Sequence, residues 1–307
     1  MSDFTVEAKE TNHSSIYKFE ANQFLTKHVN YEFANIDEAK NSPLAQQLFY
    51  LPFVKKVYIA ENFVAIEKYD IVTWDDVKEE VRDQIQDYLN QGGEVVNDEK
   101  TPKKIPVTVY AESTPNPSTM KFVTNKKIVL QSVEFRNIDE AKHAPLAQEL
   151  FHFPFIKSVF LDENYISITK YDVAEWNDIT IEIRTFIKSF IEEGKTILDE
   201  NHVNPQQTLA QPTEEGSPFE GKSIEEYDDV SKKIIAILDE YIKPAVASDG
   251  GNILFKSYES ETKKVNVILQ GACSGCPSST ITLKNGIEQM LKEMLHGHVE
   301  TVEAING

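Results

Sequence analysis

An internal repeat is the feature that most constrains the fold of this chain. The segment F-A-N-I-D-E-A-K-N-S-P-L-A-Q-Q-L-F, which begins at Phe33, returns as F-R-N-I-D-E-A-K-H-A-P-L-A-Q-E-L-F from Phe135. The same offset of about 102 residues relates Trp74 to Trp176, and it exceeds the roughly 20–50 residues of a solenoid repeat. The sequence therefore predicts two copies of one domain, each of about 90–100 residues. We call them copy one and copy two.

In each copy the pattern predicts a helix, a β-hairpin and a second helix. Asp37 in copy one and Asp139 in copy two are suitable N-caps for a helix that ends at a Leu-Phe pair. Two apolar runs follow, and the Glu-Asn pair between them favours a tight turn, so a hairpin is expected. Residues 75–91 carry apolar side chains at helical spacing, and Gly92 and Gly194 are placed to end this second helix in the two copies.

Polar segments divide the chain into domains. Residues 97–106 separate the two copies, and residues 201–222 contain Pro and Gly among Gln, Glu and Thr, without apolar periodicity. Such a composition is typical of an extended or flexible linker, which would let the last domain move independently. We therefore expect domains at 1–100, 106–200 and 223–307, with 201–222 as a linker.

The third domain has the pattern α-β-β-α-β. Ser223 and Glu226 have the spacing of a capping box, and an apolar helical stripe follows them. Asp249 begins the turn sequence Asp-Gly-Gly. Two strands, a helix and a last strand are then expected at 253–258, 265–269, 279–295 and 299–305. The fold class is thus α+β with three small domains: two duplicated α+β domains and a C-terminal α-β-β-α-β domain.

The chain has two cysteines, Cys273 and Cys276, which are too few for a disulfide scaffold. They lie in the loop G-A-C-S-G-C-P-S-S-T, between an expected strand and an expected helix. A spacing of two residues lets both sulfurs reach one metal centre. Gly275 permits the tight turn, and Pro277 keeps the helix from starting earlier. The helix N-terminus favours the thiolate, which is the form that metal ions and iron–sulfur clusters require.

Three chemistries use such a C-x-x-C pair. Thioredoxin-like dithiol exchange also places it between a strand and a helix, but further strands normally follow, and here one short strand is left. A zinc site could add His296 and His298, but the intervening helix would hold them roughly 25 Å away. An iron–sulfur cluster fits best. Because [2Fe–2S] and [4Fe–4S] centres typically take four thiolates and the chain has two, the cluster would be shared by two chains.

Composition excludes several functional classes. With 31 basic and 50 acidic residues the formal net charge is -19, which is unsuited to binding nucleic acid through its phosphates. No run approaches the about 20 apolar residues of a membrane span, and the N-terminal segment lacks the apolar core of a signal peptide. We therefore expect a cytoplasmic protein that binds neither membranes nor nucleic acid. Without a catalytic triad order, a P-loop or a nucleotide-binding glycine pattern, no enzymatic activity is expected.

Three segments carry a family resemblance. D-G-G-N-I-L-F at 249–255 and L-Q-G-A-C-S-G-C-P-S-S-T-I-T-L-K-N-G-I-E at 269–288 resemble the C-terminal domain of NifU, the Nfu-type iron–sulfur domain. S-T-P-N-P-S-T-M-K-F at 113–122 resembles the opening of the N-terminal Nfu scaffold domain. Copy one departs from this pattern: T-P-N-P at 114–117, which we interpret as a rigid turn, is replaced by T-N-H-S at 11–14.

The resemblance implies a function for the cysteine loop. It implies assembly or storage of a [4Fe–4S] cluster, with [2Fe–2S] as the alternative, and delivery of the cluster to apo-proteins. Only Cys273 and Cys276 carry over as ligands. The expected partners are apo iron–sulfur clients, upstream cluster-assembly proteins and, when the cluster binds, a second copy of the chain in a homodimer.

Overall fold

The computed structural model divides into two units, Met1–Pro106 and Val107–Gly307. The expected linker at 201–222 lies outside the residues that the structure describes, as do Ser223 and Glu226. Among the described residues, no helix is both long enough and apolar enough to cross a membrane. The described residues are 3–26, 29–97, 106–199, 227–274 and 277–306.

Copy one forms the first unit and is an antiparallel sheet with helices packed on one face. Its elements are β1 (Val6–Glu10), β2 (Ile16–Ala21), β3 (Asn30–Phe33), α1 (Pro43–Phe49), β4 (Val54–Ala60), β5 (Phe63–Lys68) and α2 (Trp74–Asn90). The strand order is β1-β2-β5-β4-β3. Alternate strand residues such as Phe19 and Ile66 form the core with Leu44 and Ile85 from the helices.

Copy two, in the second unit, repeats this architecture. Its elements are β6 (Val109–Ser113), β7 (Thr119–Thr124), β8 (Val133–Phe135), α3 (Pro145–Phe151), β9 (Ile156–Asp162), β10 (Tyr165–Lys170) and α4 (Trp176–Glu192). The strand order β6-β7-β10-β9-β8 is the same as in copy one. The duplication that the sequence predicted is therefore a duplication of one α+β fold.

The predicted hairpin of each copy is confirmed. β4 pairs antiparallel with β5, and β9 pairs antiparallel with β10. Glu61, in the Glu-Asn turn of copy one, has a φ of 48°, which is the left-handed conformation that tight hairpin turns use. Val57 and Ile59 alternate with outward-facing residues and are fully buried, so the register is fixed by the core.

The first helix of each copy begins later than predicted. Asp37 has helical backbone angles and makes no capping hydrogen bond with its side chain. Instead α1 begins at Pro43, with Ser42 as its N-cap, and α3 begins at Pro145. A residue before proline is disfavoured in the helical conformation, and proline itself suits the first helical position. The prolines therefore set the helix starts, and the assignment of Asp37 and Asp139 as caps was wrong.

The second helix of each copy is confirmed, with its start one residue earlier than expected. α2 begins at Trp74, and Thr73 and Asp76 form its capping box. Gly92 ends α2 with a φ of 76°, and Gly194 ends α4 with a φ of 70°. These left-handed conformations are the usual reason for glycine after a helix.

The C-terminal domain has the expected α-β-β-α-β order. Its elements are α5 (Asp229–Ile237), a π-helical turn (Leu238–Ile242), α6 (Lys243–Ser248), β11 (Gly251–Glu259), β12 (Lys264–Gly271), α7 (Pro277–Met294) and β13 (Thr301–Asn306). β12 is the central strand, antiparallel to β11 and parallel to β13. The helices and the sheet enclose a third apolar core, which contains Ile234, Leu269 and Ile287.

Two helix starts in this domain differ from the predictions. The N-cap of α5 is Asp228, whose side chain accepts hydrogen bonds from Val230 N and Ser231 N, and not Ser223. Pro277 is itself the first residue of α7, the position that proline suits best.

In the second unit the C-terminal domain packs directly against copy two. Strands β9 and β10 lie against β12. Along β12, Val267 and Leu269 face the domain's own core, whereas Ile268 and Gln270 point the opposite way and are buried as well. Both faces of this strand are thus covered. The composition of 201–222 led us to expect a C-terminal domain that can move independently. In this conformation the domain is in contact with copy two, and its independent movement stays a prediction.

The end of β12 generates a prediction on stability. Gly271 has a φ of 63°, and a Cβ there would lie 2.7 Å from the carbonyl oxygen of Gly250 and 2.8 Å from the ring of Phe160. We expect Gly271→Ala to lower the free energy of unfolding by about 2–4 kcal/mol, because a strained backbone and a clash with the main chain add together. Urea denaturation followed by circular dichroism measures this loss.

Gly286 provides the matched control. It lies in the exposed interior of α7 with an ordinary φ, and a Cβ there would meet nothing within 4 Å. Gly286→Ala should therefore stabilise the chain by about 0.5–1 kcal/mol. Equal effects of the two substitutions would contradict the assigned role of Gly271.

Candidate functional site

Main-chain hydrogen bonds hold the loop that contains Cys273. β12 ends at Gly271, where the positive φ turns the chain towards α7. Ala272 N donates to Gly250 O at 3.1 Å, and Ser274 N donates to Gly271 O at 3.1 Å. These hydrogen bonds fix the first part of the loop, residues 272–274, directly after β12.

The two glycines after Asp249 leave room for the thiol. Gly251 faces Gly271 across the β11–β12 ladder, and a Cβ at Gly251 would lie 2.7 Å from Cys273 Sγ. Gly250 has a φ of 81°. Asp249 is the C-cap of α6, which confirms its predicted role in the turn. The Asp-Gly-Gly sequence thus forms the turn and also accommodates the sulfur.

Cys273 is buried, and its environment favours the neutral thiol. Its side chain is 7% exposed. Burial raises the pKa of Cys273 to about 12, and the Asp249 carboxylate adds to this increase. The sequence predicted that the N-terminus of α7 favours the thiolate, whereas in this conformation burial favours the neutral thiol.

The two histidines of the zinc alternative are not brought to Cys273. Cys276 lies outside the described residues, so its position relative to Cys273 stays a prediction. His296 and His298 follow the far end of α7, whose 18 residues span about 27 Å. In the part of the chain that the structure describes, no three or more His, Cys, Asp or Glu side chains form a group that could hold a metal ion.

Copy two forms a second wall of the cysteine loop. Four of its side chains make hydrogen bonds to main-chain carbonyls of the C-terminal domain. We call the surface of copy two that carries them the docking face. The four residues are Asn116, Lys121, Tyr165 and Ser167.

Two of these residues lie on β10 and contact the Gly-Gly turn. Ser167 Oγ donates to Gly250 O at 2.6 Å, and the Tyr165 hydroxyl lies 2.8 Å from Gly251 O. The same hydroxyl lies 2.9 Å from Asp162 Oδ2. Burial raises the pKa of Tyr165, so this hydroxyl keeps its proton and stays a donor.

Lys121 contacts the end of α6 from the neighbouring strand β7. Its Nζ donates to the carbonyls of Ala247 at 2.9 Å and Ser248 at 3.2 Å. The same ammonium group lies 4.6 Å from the centre of the Tyr165 ring, within the range of a cation–π interaction. A cation is well placed here, because the last carbonyls of a helix carry partial negative charge.

Asn116 contacts the cysteine loop itself. Its Nδ2 lies 3.3 Å from Ala272 O and 3.4 Å from Ser274 O, the carbonyls on either side of Cys273. The turn that presents Asn116 is closed by the hydroxyl of Thr114, which donates to the carbonyl of Asn116. The predicted rigid turn at 114–117 is therefore also a contact of the cysteine loop.

A buried carboxyl group lies at the same contact. Glu134 on β8 accepts a hydrogen bond from the main-chain N–H of Gly271, and its Oε2 has no partner among the described residues. Burial raises the pKa of Glu134 to about 8, although nearby Arg136 and the Gly271 N–H act in the opposite direction. Glu134 is therefore mostly neutral at pH 7.

Sequence reasoning did not single out the docking face, although the duplication contained a signal. The strand registers align Lys18 with Lys121, because Lys18 pairs with Ala65 as Lys121 pairs with Ser167. By the same alignment, copy one has Phe63 where copy two has Tyr165. Polar groups that appear in one copy only, on the face away from the core, indicate a contact made by that copy only.

Comparison with protein families matches all three domains. The model described as scaffold protein Nfu/NifU N terminal matches residues 6–92 and 109–194. The model described as NifU-like domain matches residues 234–303. Together these matches cover well over half of the chain.

Curated proteins with names of the same kind match about two thirds of the chain. The chain is 33% identical over 199 residues to the NFU1 iron-sulfur cluster scaffold homolog, mitochondrial, of Drosophila willistoni, which covers 64% of this chain and 63% of that protein. It is 35% identical over 199 residues to the Homo sapiens protein of the same name, with 64% and 71% covered. NifU-like protein 5, mitochondrial, of Arabidopsis thaliana is 34% identical over 185 residues, with 60% and 62% covered. The chain thus spans less than two thirds of the length of the fly and plant relatives.

The buried Glu134 generates a prediction on pH. With a folded pKa near 8 and an ordinary unfolded value near 4.5, the native state keeps a proton that the unfolded state loses. Stability from this site is therefore fully present below about pH 4.5 and is lost as the pH rises towards 8. Glu134→Gln should remove this dependence. Between pH 5.5 and 8 the wild-type chain should lose on the order of 1 kcal/mol or more relative to the variant, measured by urea denaturation.

Glu32 provides the control for this prediction. It occupies the same position in β3 of copy one, where it is exposed and pairs with Lys56 at 3.0 Å. Glu32→Gln should leave the pH dependence as in the wild type. The same slope in wild type and Glu134→Gln would show that Glu134 titrates normally in the folded chain.

Proposed function

Because the chain belongs to the Nfu/NifU family of scaffold proteins, we propose that it assembles an iron–sulfur cluster and transfers it to apo-proteins. The observation that supports this most is the cysteine loop between β12 and α7. It holds Cys273 within the match to the NifU-like domain, and both cysteines of the chain lie in it. The cargo is the cluster, and no chemical turnover by the chain is required.

The ligand count leads to a dimer. We propose that the cluster binds to the thiolates of Cys273 and Cys276 from two chains, because one chain supplies two of the four thiolates that a cluster typically takes. A [4Fe–4S] cluster is proposed, with [2Fe–2S] as the alternative. Upstream cluster-assembly proteins would load the site, and apo iron–sulfur clients would receive the cargo.

The cytoplasmic location stays a prediction. The relatives named above are described as mitochondrial, while the composition led us to expect a cytoplasmic protein, and fractionation of the source cells would decide between the two locations.

The thioredoxin-like and zinc alternatives for the cysteine loop have less support than an iron–sulfur cluster. After the cysteine loop and α7 the structure has one strand, β13, whereas further strands normally follow a thioredoxin-like pair, and His296 and His298 follow the far end of α7.

The shared-ligand proposal predicts one cluster per two chains. Cys273→Ser and Cys276→Ser should each give a folded protein that holds no stable cluster, since each leaves the dimer with two thiolates. Iron and sulfide analysis, with sedimentation of the cluster-free and cluster-bound forms, measures the stoichiometry. Ser274→Ala is the matched control, because Asn116 contacts the main chain at Ser274 and both cysteines remain. A monomer that carries a full cluster would contradict the proposal.

The carrier role predicts transfer. Incubation of the cluster-bound chain with an apo-enzyme that needs a [4Fe–4S] cluster should restore activity faster than free iron and sulfide do, and a chelator should not abolish the difference. The Cys273→Ser chain, treated in the same way, is the control. If the cluster stays on the chain through prolonged incubation with the acceptor, an electron-transfer role would replace the carrier role.

A further inference from the structure

The contacts of the docking face have a common chemistry. Lys121 and Ser167 each donate from the side chain to a main-chain carbonyl of the C-terminal domain. The Tyr165 hydroxyl lies 2.8 Å from another such carbonyl, that of Gly251, and its one proton is shared between this oxygen and Asp162 Oδ2. None of these three contacts uses a side chain of that domain. The close approach is possible because Gly250 has no side chain: a Cβ there would lie 2.9 Å from Ser167 Oγ and 3.3 Å from Lys121 Cβ. The docking face therefore recognises a backbone shape that the glycine turn creates.

The docking face also restrains the cysteine loop. The Asn116 amide reaches the carbonyls of Ala272 and Ser274, so one side chain holds both neighbours of Cys273. The Ala272 N–H in turn donates to the carbonyl that receives Ser167 Oγ. The loop cannot move outward without loss of contacts to copy two.

This arrangement conflicts with ligation by two chains. A sulfur that binds a cluster between two chains must lie at a surface that the second chain can reach, and Cys273 is 7% exposed. Cys273 packs in the apolar core of its own domain, and Asn116 and Tyr165 of copy two hold the main chain around it, at the carbonyls of Ala272, Ser274 and Gly251. The docked conformation therefore does not present this sulfur to a second chain.

Copy one shows that the contact is specific to copy two. At the positions of Tyr165 and Ser167 it has Phe63 and Ala65, which lack the hydroxyl groups. The shared lysine, Lys18, makes a hydrogen bond within its own sheet, to Glu20 at 3.4 Å. Copy one has the same fold without the two hydroxyl donors.

We propose that the docking face of copy two is an intrachain lid, which holds the cluster-free chain closed over Cys273 and must leave before this thiol can bind metal. In this role Asn116, Lys121, Tyr165 and Ser167 are positioning residues. The identity of the cargo rests on the proposed function. The opening of the lid does not, and it can be measured without any cluster.

Reactivity of Cys273 in the cluster-free chain tests the lid. In full-length Cys276→Ser chain, Cys273 is the one thiol left, so its alkylation by N-ethylmaleimide can be followed by intact mass spectrometry. The test variant adds Tyr165→Phe and Ser167→Ala, the residues of copy one. Loss of hydrogen bonds to two buried carbonyls should raise the labelling rate at fixed pH by about tenfold or more.

The duplication supplies a matched control. Phe63→Tyr with Ala65→Ser makes the reverse changes at the same strand positions of copy one, and it should leave the labelling rate within about twofold of the parent chain. An unchanged rate in the folded Tyr165→Phe, Ser167→Ala variant would overturn the lid, since the C-terminal core alone would then account for the burial of Cys273. A parent chain that labels as fast as urea-unfolded chain would overturn it as well.

Two further measurements keep the test decisive. Circular dichroism tests whether the variant is folded. If it is not, Asn116→Ala replaces it, with an expected rise in the labelling rate of at least about threefold, because the amide that contacts the Ala272 and Ser274 carbonyls is lost. Cluster reconstitution is then measured separately with both cysteines present. If the variant labels faster but the chain with both cysteines never binds a cluster, the lid is supported and the proposed function is contradicted. If labelling is unchanged but the chain binds a cluster, the lid is overturned and the proposed function is supported.

Discussion

The carbonyl oxygen of Gly250 accepts two hydrogen bonds, and the rest of the site depends on them. One comes from Ala272 N at 3.1 Å and fixes the start of the cysteine loop. The other comes from Ser167 Oγ at 2.6 Å and attaches copy two. Both require the main chain to approach closely at a φ of 81°, which glycine adopts at low cost. The conformation of the loop and the docking of copy two are therefore coupled through one peptide group.

The two copies have diverged on the surface more than in the framework. Thr11 and Thr114 close the same turn with the same hydroxyl hydrogen bonds, although the residues that follow them differ. The two copies differ in the hydrogen bonding of the tryptophan that begins the second helix. Trp176 Nε1 donates to Pro117 O at 3.0 Å, whereas the buried Trp74 Nε1 has no partner among the described residues. The two copies thus share what the fold needs, and the outer face of copy two carries polar groups that copy one lacks.

Local signals allowed the sequence to predict much of the fold. The hairpins and the α-β-β-α-β order follow from apolar periodicity and turn residues, which act over a few positions. The helix start at Pro43 was misassigned to Asp37, because two local signals competed and proline is the stronger. The docking face could not be predicted in this way, since its acceptors are carbonyls that every residue carries. The raised pKa of Cys273 was missed for a related reason: the position of a residue before a helix is visible in a sequence, and the burial of its side chain in the folded chain is not.

Docking and cluster binding also differ in how they depend on concentration. Copy two and the cysteine loop belong to one chain, so their association is unimolecular and is the same in dilute and concentrated protein. A cluster held by two chains adds a bimolecular step, whose yield rises with the concentration of chains and of cargo. The closed form is therefore the state of a solitary chain without cargo, and it keeps Cys273 away from adventitious metal and oxidants. Cargo shifts the equilibrium between the closed and open forms by the difference between its binding free energies to the two forms. The few hydrogen bonds of the docking face contribute a free energy small enough for cargo binding to offset.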